Sequence, residues 1–178
     1  LNMMMYYIIS ENLVDSSFVE ARTEGYEAFK KEILSIDLTK LETVSGLKRE
    51  DVRAAAMAYA SAPNAMSFHG LGVTEHSQGT FTVMQIADLA LLTGNIGRRG
   101  VGVNPLRGQN NVQGSADMGV QPHQGAGYLD ITKPEVNKKY NEFYGVTVPS
   151  NIGYKIPEMF EAALDGKLKV AWIIGEDV

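Results

Sequence analysis

The apolar positions of the first sixty residues recur at helical spacing. Met3, Met4, Tyr7 and Ile8 share one helical face. Asp15 is placed to cap a short helix carrying Phe18, Val19 and Arg22. After Gly25, the set Tyr26, Phe29, Ile33 and Leu34 repeats the amphipathic pattern. The clearest helix is predicted over 48–60. It has Val52, Ala55, Ala56 and Tyr59 on one side, Arg49, Asp51 and Arg53 on the other, and is stopped by Pro63.

The period then changes. Residues 65–69 form a short apolar stretch between Pro63-Asn64 and Gly70, which predicts a strand. The glycine-bearing loop 70–79 follows, and Val83, Ile86, Ala87, Ala90 and Leu91 predict a helix that ends at Gly94. Strand, glycine loop and helix make half of a β-α-β unit, so the class expected is α/β. The stretch 130–150 is polar and weakly patterned. Pro157 opens a helix with Met159, Phe160 and Leu164, stopped at Asp165-Gly166. The β-rich run 169–174 is predicted to be a buried parallel strand, with Gly175, Glu176 and Asp177 at its carboxyl end.

Residues 94–127 follow neither period. They hold half of the chain's 18 glycines, and Arg98, Arg99 and Arg107 face a single acid, Asp117. Connections usually run about 4–6 residues, and much longer ones are functional or disordered. Val101, Val103, Leu106, Val112 and Met118 favour a loop that is ordered and packs.

Composition narrows the function classes. With 44% apolar and 21% charged residues, the chain is that of a folded protein. A net charge of −5 argues against nucleic-acid binding over the whole surface. Without cysteine, the 178 residues hold no disulfide, cysteine-ligated zinc or iron–sulfur cluster. No apolar run reaches the length of a membrane span, and the first residues lack the basic region and cleavage site of a secretory signal. No Met precedes Leu1, and the far end stops just after an apolar run. Both ends read as cut, so the expectation is an internal piece of a larger protein.

Three groups of residues carry candidate chemistry. In the loop 70–79, Gly70 and Gly72 let backbone N–H groups approach a phosphate at a helix start, although the spacing matches neither the dinucleotide fingerprint nor a Walker loop. A plain β–α turn is the competing reading. Arg107-Gly108-Gln109-Asn110-Asn111 joins a planar cation, a small residue and three amides, suited to an anion or heterocycle. Equally, the amides suit the backbone of an irregular loop. Asp177 stands where acids accept from a ribose hydroxyl or a base, or is simply a solvated turn. His69, His76 and His123 lack metal-ligand spacing and read as structural, so no metal site is assigned within the chain.

The segments GVTEHSQGT and LALLTGNIGRRGVGVNPLRGQNNVQGSADMG strongly resemble the catalytic (alpha) subunit of molybdenum- or tungsten-dependent formate dehydrogenases. These belong to the bis(molybdopterin guanine dinucleotide) oxidoreductases. MMYYIISENLVD, RTEGYEAF and WIIGEDV resemble the same subunit, so the likeness spans the chain and is weakest over 130–150.

The resemblance implies two-electron oxidation of formate to carbon dioxide at the metal. It gives Arg107 the role of orienting the formate carboxylate. It places Gly108 and Gln109 beside the metal and pterin, and Gly72, Val73, Thr74 and Glu75 in a cofactor-contacting loop. A glutamine is common where Glu75 stands, and a carboxylate suits phosphates poorly. Gly175, Glu176 and Asp177 match a turn that holds the guanosine of one pterin dinucleotide.

The family's metal ligand, a cysteine or selenocysteine, and its cluster-binding cysteines are missing here. The metal, molybdenum or tungsten, and the iron–sulfur cluster are therefore expected in the parent, and the fragment alone should be inactive. The implied fold is α/β, comprising parts of two Rossmann-like three-layer domains, 1–110 and 111–178, each binding cofactor. Implied partners are formate, the rest of the catalytic subunit and electron-transfer subunits, with no nucleic acid and no membrane insertion by this segment. A cytoplasmic setting is expected, with a periplasmic or membrane-associated complex as the alternative. Competing readings are a related molybdopterin oxidoreductase with another substrate, a cofactor-free scaffold subunit, and a nucleotide-binding module.

Overall fold

The structure, a computed structural model, describes residues 1–174. The chain divides into two compact units, Leu1–Gly108 and Gln109–Val178. The protein is mixed α/β, with helices dominating and one small parallel sheet.

Five helices open the first unit: α1 (Asn2–Ser10), α2 (Ser16–Arg22), α3 (Tyr26–Leu34), α4 (Leu38–Ser45) and α5 (Arg49–Ser61). Then come β1 (Met66–His69), the single turn α6 (Leu71–Thr74), α7 (Gly79–Leu92) and β2 (Gly102–Pro105). The core gathers Met5, Ile8 and Ile9 of α1 with Ile33, Ala56, Leu89 and Leu92. Burying a side chain the size of Met5 or Ile8 stabilises the fold by about 1.5–3 kcal/mol.

Helix α1 buries a broader surface than one stripe. Met3, Met5, Ile8 and Ile9 are buried, whereas Met4 and Tyr7 of the predicted face are only half-buried. The cause is that α1 packs against α3, α5 and α7 together, and a helix surrounded in this way is apolar on most sides. In α5, Val52 and Ala56 are buried and Tyr59 half-buried, but Ala55 is exposed, one position off the packed face.

Asp15 does cap α2. Its carboxylate accepts from the Phe18 amide at 3.0 Å and from the Ser17 hydroxyl at 2.8 Å. These bonds favour the charged form and hold the carboxyl below its ordinary value. A depressed folded-state pKa contributes stability above the unfolded value, and that contribution fades as pH falls through the folded one. Asp15→Ala should cost about 1 kcal/mol at neutral pH, towards the lower end because the site is exposed. Hydrogen exchange at the Phe18 amide in the whole protein checks this. Exchange should quicken several-fold at pH 7, and the gap to the wild type should close in acid.

The backbone N–H of Asp15 also donates to the Leu92 carbonyl at 2.8 Å, fixing α2 to the end of α7. There Gly94 turns the chain with φ +63°. A Cβ at Gly94 would meet the Asp15 Cγ at 3.2 Å, so both conformation and space call for glycine.

Strand β2 lies inside the stretch read from sequence as loop. It pairs in parallel with β1, Met66 opposite Gly102 through His69 opposite Pro105. The β-α-β unit is thereby completed. Gly102 and Pro105 made the segment look unlike a strand. The packed loop expected around β2 is half-realised: Val101, Val103 and Val112 are half-buried, while Leu106 and Met118 are exposed.

The second unit carries α8 (Val112–Asp117), a 3-10 turn (Ala126–Tyr128), α9 (Pro134–Tyr144) and α10 (Ile156–Leu164). The weakly patterned stretch 130–150 thus contains an ordered helix. Polar side chains hold it. The Tyr140 hydroxyl donates to the Ala126 carbonyl at 2.6 Å, and the Val148 amide donates to the Asn141 side chain at 2.6 Å. Helix α10 begins beside Pro157 as expected, with the Glu158 carboxylate accepting from the Lys155 amide at 2.7 Å.

The predicted buried strand at 169–174 is not formed. Val170, Trp172 and Ile174 are 81%, 88% and 77% exposed. A parallel strand needs a neighbour for its backbone groups, and among the described residues the paired strands are β1 and β2 alone.

Candidate functional site at the carboxyl edge of the parallel pair

Because β1 and β2 run parallel and end in register, the segments that follow them emerge at one edge. The Leu106 amide donates to the His69 carbonyl at 2.7 Å. A Cβ built on Gly70 would lie 3.7 Å from the Leu106 oxygen, and one on Gly108 would lie 3.2 Å from Leu71 Cδ1. The loop after β1 and the Arg107-Gly108 corner after β2 are therefore neighbours. In open α/β sheets, ligands bind in just this position, outside the carboxyl ends of the strands.

The loop itself is a tight turn. The amides of Val73 and Thr74 donate to the Gly70 carbonyl at 3.0 and 3.3 Å, and that of Glu75 to the Leu71 carbonyl at 2.9 Å. Val73 is half-buried, while Gly72, Thr74 and Glu75 are exposed. A Cβ at Gly72 would meet nothing within 4 Å, so the outer side of the turn is open. Arg107 and Gly108 are exposed at the same edge. Gln109, also exposed, begins the second unit. Gly175, Glu176 and Asp177 lie outside the described residues.

Three residues matter more to the site than the sequence reading allowed. Asn95, only 1% exposed, accepts from the Ala65 amide at 3.1 Å and donates to the Thr93 hydroxyl at 2.9 Å. It thus ties the entry of β1 to the end of α7. Asn95→Ala removes the side chain that bonds Ala65, Thr93 and Arg98, leaves the Ala65 amide without its acceptor, and should cost about 2–3 kcal/mol, read as a lower thermal midpoint of the whole protein. Arg98 is occupied structurally: its guanidinium donates to the Pro63 carbonyl at 3.0 Å and to the side chains of Asn64 and Asn95. Of the loop's positive charge, this share is spent on the fold. His69 ends β1 and is 7% exposed, and its Nδ1 has no hydrogen-bond partner among the described residues. The LTGN run pointed to Asn95 only as a motif, and the sequence reading weighed His69 with His76 and His123 and gave it a structural role.

Among the described residues no group of three or more His, Asp or Glu side chains is arranged to hold a metal, and no helix is long and apolar enough to cross a membrane. A groove of about 1040 Å³ in the second unit is lined by Val120, Ile131, Val148, Ile156 and Met159, among others, and includes none of the predicted site residues.

An exposed arginine and an open glycine turn thus lie at one edge of a parallel pair in an α/β protein. Comparison with known proteins makes the class specific. The family model described as molybdopterin oxidoreductase matches residues 1–178. The chain is 42% identical to formate dehydrogenase H of Escherichia coli over 99% of its own length and 25% of that protein's. It is 39% identical to the F420-dependent formate dehydrogenase 1 subunit alpha of Methanococcus maripaludis over 99% of this chain and 26% of the relative. The probable oxidoreductase YjgC of Bacillus subtilis is 34% identical over 100% of this chain and 18% of its own length. The chain belongs to the molybdopterin oxidoreductase family, and it spans about a quarter of the first two relatives.

That family implies a molybdopterin-type cofactor with a metal. The edge fits such a group on two counts. It offers a turn with open space above Gly72 and a buried imidazole nitrogen, that of His69, without a hydrogen-bond partner among the described residues.

Proposed function

We propose that the whole protein carrying this chain oxidises formate to carbon dioxide, and that this segment forms one wall of its active site. The observation that supports this most is the meeting of Arg107-Gly108 with the 70–75 turn at one sheet edge, in a chain so similar to formate dehydrogenases. In this reading the cofactor is bis(molybdopterin guanine dinucleotide) with molybdenum or tungsten, which supplies the two-electron acceptor. Gly72, Val73, Thr74 and Glu75, together with Gly108 and Gln109, are its contact residues in this reading. Gly175, Glu176 and Asp177 hold a guanosine. The chain's segments 1–110 and 111–178 contribute to two cofactor-binding domains.

Arg107 receives the formate carboxylate. Its planar fork matches two carboxylate oxygens and sets the C–H bond in a fixed direction, which lysine would do less well. The edge thus orients substrate and excludes alternative poses. An iron–sulfur cluster held by other parts of the parent, and partner subunits beyond it, would supply the route for the electrons. A cytoplasmic setting is part of this reading.

Purifying the whole protein and analysing its metal and released pterin tests the cofactor. The guanine dinucleotide form with molybdenum or tungsten is expected, and a protein devoid of pterin would remove the basis of the proposal. A different substrate is the second reading, favoured by the likeness to a relative named only as a probable oxidoreductase.

A further inference from the structure

His69 is the one buried side chain at the sheet edge with an unmet polar atom among the described residues. It is 7% exposed, its Nδ1 is sealed from solvent, and no protein group reaches that nitrogen. Folded proteins rarely keep such an atom idle, because its lost hydration is uncompensated. Local backbone offers no remedy. The strand residue opposite is Pro105, which has no N–H, and the His69 carbonyl is already taken by the Leu106 amide.

A partner must therefore arrive with something that is not part of the described chain. His69 is the last residue of β1, directly before the open Gly70–Thr74 turn and beside the Arg107 corner. We infer that His69 is a positioning residue for the cofactor: its Nδ1 makes a hydrogen bond to a polar atom of the pterin–nucleotide ligand as the turn settles around it. Catalysis then depends on His69 only through where the ligand sits. This rests on the function proposed above, and the test separates the two.

The experiment uses the whole protein with three substitutions. His69→Asn keeps a polar atom near the Nδ1 position, His69→Gln moves it to the Nε2 position, and His69→Leu removes it with little change of bulk. Pterin and metal content per chain are measured after dialysis, and thermal midpoints are taken with and without cofactor. His69→Leu should leave the cofactor-free midpoint unchanged or higher, because an unpaired polar group is gone. The same variant should retain cofactor about tenfold less tightly, the scale of one lost hydrogen bond. His69→Asn should restore retention and His69→Gln should not. If His69→Leu stabilises both forms and keeps full pterin content, the nitrogen is an idle core atom and the inference is wrong. If the wild-type protein itself carries no pterin, the proposed function fails first.

Discussion

Substituting Arg107 by alanine in the whole protein is expected to lower kcat/KM for formate by about 10- to 100-fold while leaving the pterin content unchanged. The magnitude follows from the bond that is lost. A hydrogen bond to a charged group contributes about 1.5–3 kcal/mol, and each 1.4 kcal/mol is a factor of ten in rate. Arg107 is exposed and follows β2. Arg107→Lys keeps the charge but loses the planar fork, so it should recover part of the loss, mainly in KM. Formate turnover measured with an artificial electron acceptor reads both variants. Unchanged kinetics in Arg107→Ala would assign the carboxylate to another residue.

The second large effect is expected at Gly79, far from the charge but directly under the turn. Gly79 is buried at the start of α7. A Cβ there would meet the Thr74 carbonyl carbon at 2.8 Å and the Val73 oxygen at 3.0 Å, with the Thr74 oxygen closer still. These are backbone atoms, which cannot swing aside as a long side chain would. Alanine favours helices over glycine by about 1 kcal/mol, whereas overpacking costs about 1–3 kcal/mol, so the clash wins. Gly79→Ala should lower the thermal midpoint. It should also reduce pterin content, because the displaced carbonyls belong to the turn that we propose contacts the cofactor. A variant that is more stable and fully loaded would mean that the turn is not held in place by α7.

Much of this was legible in the sequence, and the misses share a cause. The Asp15 cap, the α5 and α7 helices, β1 and the stop at Gly94 were each announced by a local signal that local physics honours. What depends on distant partners was not. Strand β2 is disguised by Gly102 and Pro105 and exists because β1 lies beside it. The run 169–174 has the composition of a strand but no partner among the described residues. Helix α9 had its signals, Pro134 at the start and Gly145 in a left-handed turn at the end. A thin apolar stripe hid them, since polar contacts from Tyr140 and Asn141 secure the helix.

At the site, residue chemistry pointed to Arg107 and the glycine turn, while only coordinates brought them to one edge. His69 shows the limit most clearly. Sequence reading gave it a structural role, and its burial agrees, yet the unmet nitrogen could be seen only once the surrounding atoms were placed.

Supplying the purified whole protein with carbon-13 formate and an electron acceptor tests the central claim most directly. The account predicts labelled carbon dioxide and one equivalent of two-electron-reduced acceptor for each formate consumed, in proportion to the pterin bound. A protein fully loaded with metal and pterin that leaves formate untouched would contradict it.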